Sequence, residues 1–126
     1  MLKKQIQTNA APAAIGPYSQ AVQVGDFIFY SGQIPLDPES GTMVAGGIVE
    51  QTQQVMKNMQ AVLHASGLDF ADVVKTTIYL TDLADFATVN KIYGESFTDI
   101  SPARACVQVS ALPKGACVEI DWISTV

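Results

Sequence analysis

The chain has 126 residues, 48% of them apolar, and a net charge of −5 from twelve acids against seven bases. That length makes one domain, 1–126, with a real core yet small enough to gain from oligomerising. The charge argues against general nucleic-acid binding, which leans on clustered Lys and Arg, and no apolar run approaches the roughly 18 residues of a membrane span.

Lys3 and Lys4 precede no apolar stretch, so no secretory signal is expected, and a lone arginine argues against a transit peptide. Lys3 to Gln7 reads as a short first strand. Thr8 to Pro17 is a loop rich in Ala and Pro that ends at Tyr18. Its two prolines make it rigid, able to present an aromatic hydroxyl; an anchoring ring is the other reading of Tyr18. Ser19 to Val24 and Phe27 to Ile34 are strand-like, joined by the hairpin signal Gly25-Asp26. Gly32, inside the second of these, suggests a bulge or a close approach by a ligand or another chain, with Ser31 a possible donor beside it.

A helix is predicted over Ile48 to Ser66. Ile48, Thr52, Val55, Met56, Met59, Val62 and Leu63 form one stripe, and Gly67 stops it. His64, the only histidine, falls in its last turn with no ligand partners at the right spacing, and reads as solvated. Val73 to Thr81 is a strand and Asp82 to Thr98 a second helix, with Phe86, Val89, Tyr93 and Phe97 on one side and Asn90 near it. Strands at Ala103 to Ser110 and Ala116 to Thr125 follow, separated by Leu112-Pro113-Lys114-Gly115. The order predicts an α+β layer, a mainly antiparallel sheet with two helices on one face. The other sheet face, half apolar, needs a partner, so a symmetric homo-oligomer is expected.

Arg104 is the only arginine. Alternation places it with Cys106 and Gln108 on one face of its strand, between small alanines that leave room for a ligand. Its planar fork suits a carboxylate; a structural ion pair or an edge-strand gatekeeper explains it as well. If the last two strands form a hairpin about Pro113-Lys114-Gly115, Arg104, Cys106 and Gln108 share a face with Glu119 and Asp121, and Cys106 lies opposite a residue near Asp121. Cys106 and Cys117 have neither CxxC spacing nor a clustered His, so no zinc site is expected. In that hairpin Cys117 falls near Ser110, too far from Cys106 to bridge, and free thiols suit a reducing cytosol, hence an expected cytoplasmic protein. No GxGxxG, GxxxxGK[ST] or HExxH run occurs, and no Ser-His-Asp or Cys-His set can be built. A carboxylate grip, one acid/base group and water suit a reaction of low intrinsic barrier, such as hydrolysis of an imine.

The runs Ala11-Pro12-Ala13-Ala14-Ile15-Gly16-Pro17-Tyr18-Ser19-Gln20, Ser31-Gly32-Gln33-Ile34-Pro35, Pro102-Ala103-Arg104-Ala105-Cys106-Val107 and Leu112-Pro113-Lys114-Gly115-Ala116-Cys117-Val118-Glu119-Ile120 resemble the Rid family of reactive-intermediate enamine/imine deaminases, in its RidA branch. The resemblance spans nearly the whole chain. It implies a chorismate-mutase-like α+β fold, a homotrimer with three clefts between subunits, and no cofactor or metal. The implied reaction takes 2-aminoacrylate or 2-iminopropionate and water to pyruvate and ammonia, disposing of species that pyridoxal-phosphate enzymes release. Carried over by residue, Arg104 binds the substrate carboxylate and Glu119 positions water or passes protons. Tyr18, Ser31, Gly32, Asn90 and Cys106 line the pocket, the thiol shaping it rather than attacking. Ser101 stands where a bulkier or charged residue is common, and Gln108 where an acid is frequent. The same residues would also serve a small-metabolite-binding regulator or a chaperone-like protein on this fold.

Overall fold

The structure is a computed structural model describing residues 1–126. The elements in chain order are β1 (Lys3–Ile6), β2 (Ala21–Val24), β3 (Phe27–Gln33), α1 (Ile48–Ala65), β4 (Val73–Leu80), α2 (Phe86–Gly94), β5 (Ala103–Gln108) and β6 (Val118–Thr125). The strands form one sheet in the order β1-β2-β3-β6-β4-β5. Every neighbouring pair is antiparallel except β4 and β5, which run parallel. This is an α+β fold with a mixed, mostly antiparallel sheet.

The period-two pattern decides which side of each strand is dry. Ile28 and Tyr30 of β3, Thr76, Ile78 and Leu80 of β4, and Val118, Ile120 and Trp122 of β6 are all buried on the helix side. Against them α1 lays Val55, Met56, Met59, Val62 and Leu63, and α2 lays Val89 and Tyr93, in one continuous core. Each such side chain contributes about 1.5–3 kcal/mol when fully buried. Tyr30 stacks on Trp122 with ring centroids 4.5 Å apart, and its hydroxyl bonds Ser124 at 2.8 Å. Helix α1 stops where Gly67 takes φ 74°, a conformation open to glycine, and Leu68 N–H closes the turn on the Leu63 carbonyl at 3.1 Å.

The second helix is shorter than its sequence pattern. Leu83–Asp85 forms a 3-10 turn, with the Asp82 carboxylate accepting from Ala84 N–H at 2.9 Å. Beyond Gly94 the backbone bonds tighten to three-residue steps, Ser96 to Tyr93 and Phe97 to Gly94. Phe97 still reaches the core, 5.4 Å from Phe70 and 4.6 Å from Tyr93 between ring centroids.

The expected final hairpin is not formed. Strand β5 pairs in parallel with β4, Arg104 opposite Thr76 and Cys106 opposite Ile78, while β6 inserts between β3 and β4. Two causes are visible. The segment β4-α2-β5 is a strand–helix–strand crossover, which returns a strand parallel to the one it left. And β6, with Val118, Ile120 and Trp122 at most 2% exposed, gains most in the middle of the sheet, whereas β5, with small Ala103 and Ala105, suits an edge.

The sheet face away from the helices carries Phe27 and Phe29 of β3, Thr77 and Tyr79 of β4, Val107 of β5, and Glu119, Asp121 and Ile123 of β6. Phe27, Phe29 and Val107 are 47%, 49% and 43% exposed there. The half-apolar open face expected from alternation is present.

Candidate active site

The N-terminal loop is held by a side chain that sequence patterning passes over. Gln20, buried, accepts from Thr8 N–H at 2.7 Å and donates to the carbonyls of Thr8 at 3.0 Å and Pro12 at 2.8 Å. The loop is thereby folded back over the end of β3, and Tyr18 projects with its ring 53% exposed. Ser31 donates its hydroxyl to the Ser19 carbonyl at 2.6 Å, which leaves the lone pairs of that oxygen free to accept. Tyr18, Ser31, Gly32, Lys114 and Glu119 line one cavity of about 550 Å³, walled by the apolar side chains of Ile15, Ile34 and Leu36.

Gly32 sits in the register break between Tyr30 and Gln33, directly against Glu119. A Cβ there would lie 2.9 Å from the Glu119 carboxyl carbon, so only glycine lets this carboxylate occupy its place. Burial, reinforced by the neighbouring Asp121 charge, raises the Glu119 pKa above the usual carboxylate range. Such a group holds a proton more readily than an exposed glutamate does.

Arg104 occupies a different setting at the sheet edge. Its guanidinium donates to the Asn90 side-chain oxygen at 2.6 Å and lies over the rings of Phe86 and Tyr93, 5.4 and 5.2 Å from their centroids. Tyr93 is itself pinned by a 2.8 Å bond between its hydroxyl and that of Thr76 in the core. One donor and one face of the fork are engaged, and further N–H groups remain for a ligand. A second cavity, of about 450 Å³, is lined by Arg104, Asn90, Tyr93 and Pro102. Cys106, two residues further on the same face, packs against the core; burial pushes its thiol pKa up, with Arg104 pulling the other way. A thiol so placed is a poor nucleophile. Both cysteines are free.

The expected grouping of Arg104, Cys106 and Gln108 with Glu119 and Asp121 is therefore corrected. Arg104 and Cys106 lie on the helix side of an edge strand, Glu119 and Asp121 on the open side of a central one, because β5 and β6 are not neighbours. Nor does Cys106 face Asp121, whose partner on β4 is Thr77. One chain holds two separate clusters: Tyr18, Ser31, Gly32 and Glu119 in one, Arg104, Asn90 and Cys106 in the other. Phe86, Tyr93, Gln20 and Lys114 border these clusters, and the sequence pattern does not mark them as site residues. Phe86 and Tyr93 read as a core stripe, and only the position of β5 reveals their second use. Lys114 adopts φ 57° within its turn, unusual outside glycine, and nothing in the sequence pattern announces it. His64 pairs with exposed Asp69 at 3.5 Å on the outer surface and takes no part. No group of three or more His, Cys, Asp or Glu side chains converges as a metal site, and no helix is long and apolar enough to cross a membrane.

The family model described as endoribonuclease L-PSP matches residues 8–126. Protein DfrA of Myxococcus xanthus is 61% identical over 126 residues, covering 98% of this chain and 96% of the relative. The 2-iminobutanoate/2-iminopropanoate deaminase of Mus musculus is 55% identical over 124 residues, covering 98% and 92%. The crystal structure of a Rid-family protein from Yersinia pestis superimposes with a TM-score of 0.97 at 48% identity, covering 99% of this chain and 100% of the other. Matched along nearly its whole length in both sequence and backbone, the chain belongs to the Rid, or endoribonuclease L-PSP, family.

Proposed function

We propose that the chain is a hydrolytic deaminase of reactive 2-imino acids and their enamine tautomers, 2-iminopropanoate and 2-iminobutanoate among them, and that its site is completed between the subunits of a homotrimer. The observation that carries the reading is the pair of complementary half-sites, a forked cation in one and a proton-holding carboxyl in the other, in a chain 55% identical to a deaminase of these substrates. Each half lacks what the other has. The exposed Phe27, Phe29 and Val107 on the open sheet face supply apolar surface for subunit contact.

In this reading Arg104 grips the substrate carboxylate with the donors that Asn90 leaves free, while Tyr18, Ser31, Gly32 and Cys106 shape the pocket. Glu119, protonated, gives its proton to C3 of 2-aminoacrylate, leaving an iminium at C2. The Glu119 carboxylate then takes a proton from water as the water oxygen bonds to C2. It returns that proton to nitrogen as the C–N bond breaks, and recovers one from the new hydroxyl as the carbonyl forms. Pyruvate and ammonia leave, and Glu119 ends as it began. No step calls for a metal or cofactor. The net charge of −5 and the absence of a basic patch weigh against RNA as the substrate. Two free thiols favour a reducing compartment such as the cytosol.

The test is 2-aminoacrylate generated enzymatically, with pyruvate followed against the uncatalysed rate, alongside light scattering at dilute protein. Accelerated pyruvate release and about three times the 13.4 kDa chain mass are expected. Binding of the imine's stable analogues without any acceleration would mark a metabolite-binding regulator instead, and a monomeric mass would leave the two half-sites apart.

A further inference from the structure

Two side chains on the open sheet face have no part in the scheme above and touch one of its members. Tyr79 stands directly across from Glu119 in the β4–β6 register, and Asp121 is the next residue of β6 on that same face. The Tyr79 hydroxyl donates to the Asp121 carboxylate at 2.9 Å, spanning the gap between the two strands. All three side chains are half-buried. A carboxylate is thus tied down by a neutral donor within one strand repeat of Glu119, when an untethered aspartate on this face would turn toward water.

We propose that Tyr79 and Asp121 are positioning residues for Glu119: a hydrogen-bonded pair that holds a second carboxylate on the face of Glu119 and thereby makes Glu119 the proton carrier of the two. The inference rests on the reading of Glu119 as that carrier. Like charges on one half-solvated face disfavour ionising both, and the bond from Tyr79 holds the Asp121 carboxylate in place on the face of Glu119. The bond in turn raises the Tyr79 pKa, so its hydroxyl stays a donor through the neutral range. The other charged or titratable groups facing Glu119 are Lys114 from the turn before β6 and Tyr18 from the N-terminal loop, which line its cavity, with Lys75 further along β4. From β3 Ser31, Gly32 and Gln33 line the same cavity, and none of them titrates. Asp121 is the one anion among them, so its removal has a single direction.

The sign follows from the chemistry. Glu119 must begin protonated, so kcat falls as pH rises through its pKa. Asp121→Asn removes the neighbouring charge, and that fall is expected roughly half a unit to one pH unit lower. Tyr79→Phe, which frees Asp121 without discharging it, moves the limb the same way by less. The pH profile of kcat is measured for both variants and for Glu119→Gln, together with an NMR titration of the labelled Glu119 carboxyl and affinity for pyruvate. Midpoint and limb are expected to move together, with pyruvate affinity held within about twofold because Arg104 is untouched. If the Glu119 midpoint and the limb stay in place in Asp121→Asn, the pair is structural only and the proposal is overturned. A limb that survives in Glu119→Gln overturns the underlying assignment of Glu119, while the titration still decides for or against the pair. Should Asp121→Asn not fold, Tyr79→Phe decides by the same two readouts.

Discussion

Arg104→Lys is expected to lose kcat/KM on 2-aminoacrylate nearly as completely as Arg104→Ala, by roughly ten- to a hundredfold or more. An ammonium keeps the charge but not the planar fork, and it has one donor centre where the guanidinium has a bank of them. At Arg104 that difference is sharpened by its surroundings. Asn90 takes one N–H at 2.6 Å, and Phe86 and Tyr93 hold the flat of the group, orienting the remaining donors together. A lysine would satisfy Asn90 or the substrate, with no plane for the rings to orient. Folding should survive, because β5 is an edge strand and the guanidinium is exposed rather than part of the core. The measurement is kcat/KM and pyruvate affinity for both variants, with thermal unfolding as the control. Wild-type turnover and binding in Arg104→Lys would return Arg104 to a structural ion.

Glu119→Gln should behave differently, sparing pyruvate binding while lowering kcat by about a hundredfold or more, since general acid–base groups contribute on that scale. The amide keeps the shape of the carboxyl against Gly32 but carries no transferable proton. Gly32→Ala should reproduce the loss by another route. Its Cβ would enter the space of the Glu119 carboxyl group, whose carbon would be 2.9 Å away, and drive the side chain out of the cavity. The carboxyl would then keep its chemistry and lose its place. Both variants are compared by kcat, pyruvate affinity and unfolding midpoint. Normal turnover in Glu119→Gln would remove the proton carrier from the scheme.

How much of this was readable beforehand follows from what each property depends on. The faces of the strands and of α1 follow from residue order alone, because side-chain direction repeats every two residues in a strand and every 3.6 in a helix. So Val118, Ile120 and Trp122 are readable as inward, Glu119 and Asp121 as outward, and Arg104 as sharing a side with Cys106. The resemblance of the Pro102-Ala103-Arg104 and Val118-Glu119-Ile120 runs carried the family, and the comparisons agree. Strand order was a different matter. Nothing in the run from Ala103 to Thr125 tells a hairpin from two strands with β4 between them, since local pattern carries no information about which neighbour a strand takes. That choice rests on competition for the middle of the sheet: β6 buries more than β5, and the α2 crossover delivers β5 to the far side of β4. The separation of Arg104 from Glu119, the ring cradle of Phe86 and Tyr93, and the bond between Tyr79 and Asp121 all follow from that order. Sequence therefore determined the family and which way the side chains of each strand and of α1 face; only the tertiary structure decided which of them meet, because contact between distant segments is set by how the whole core is buried.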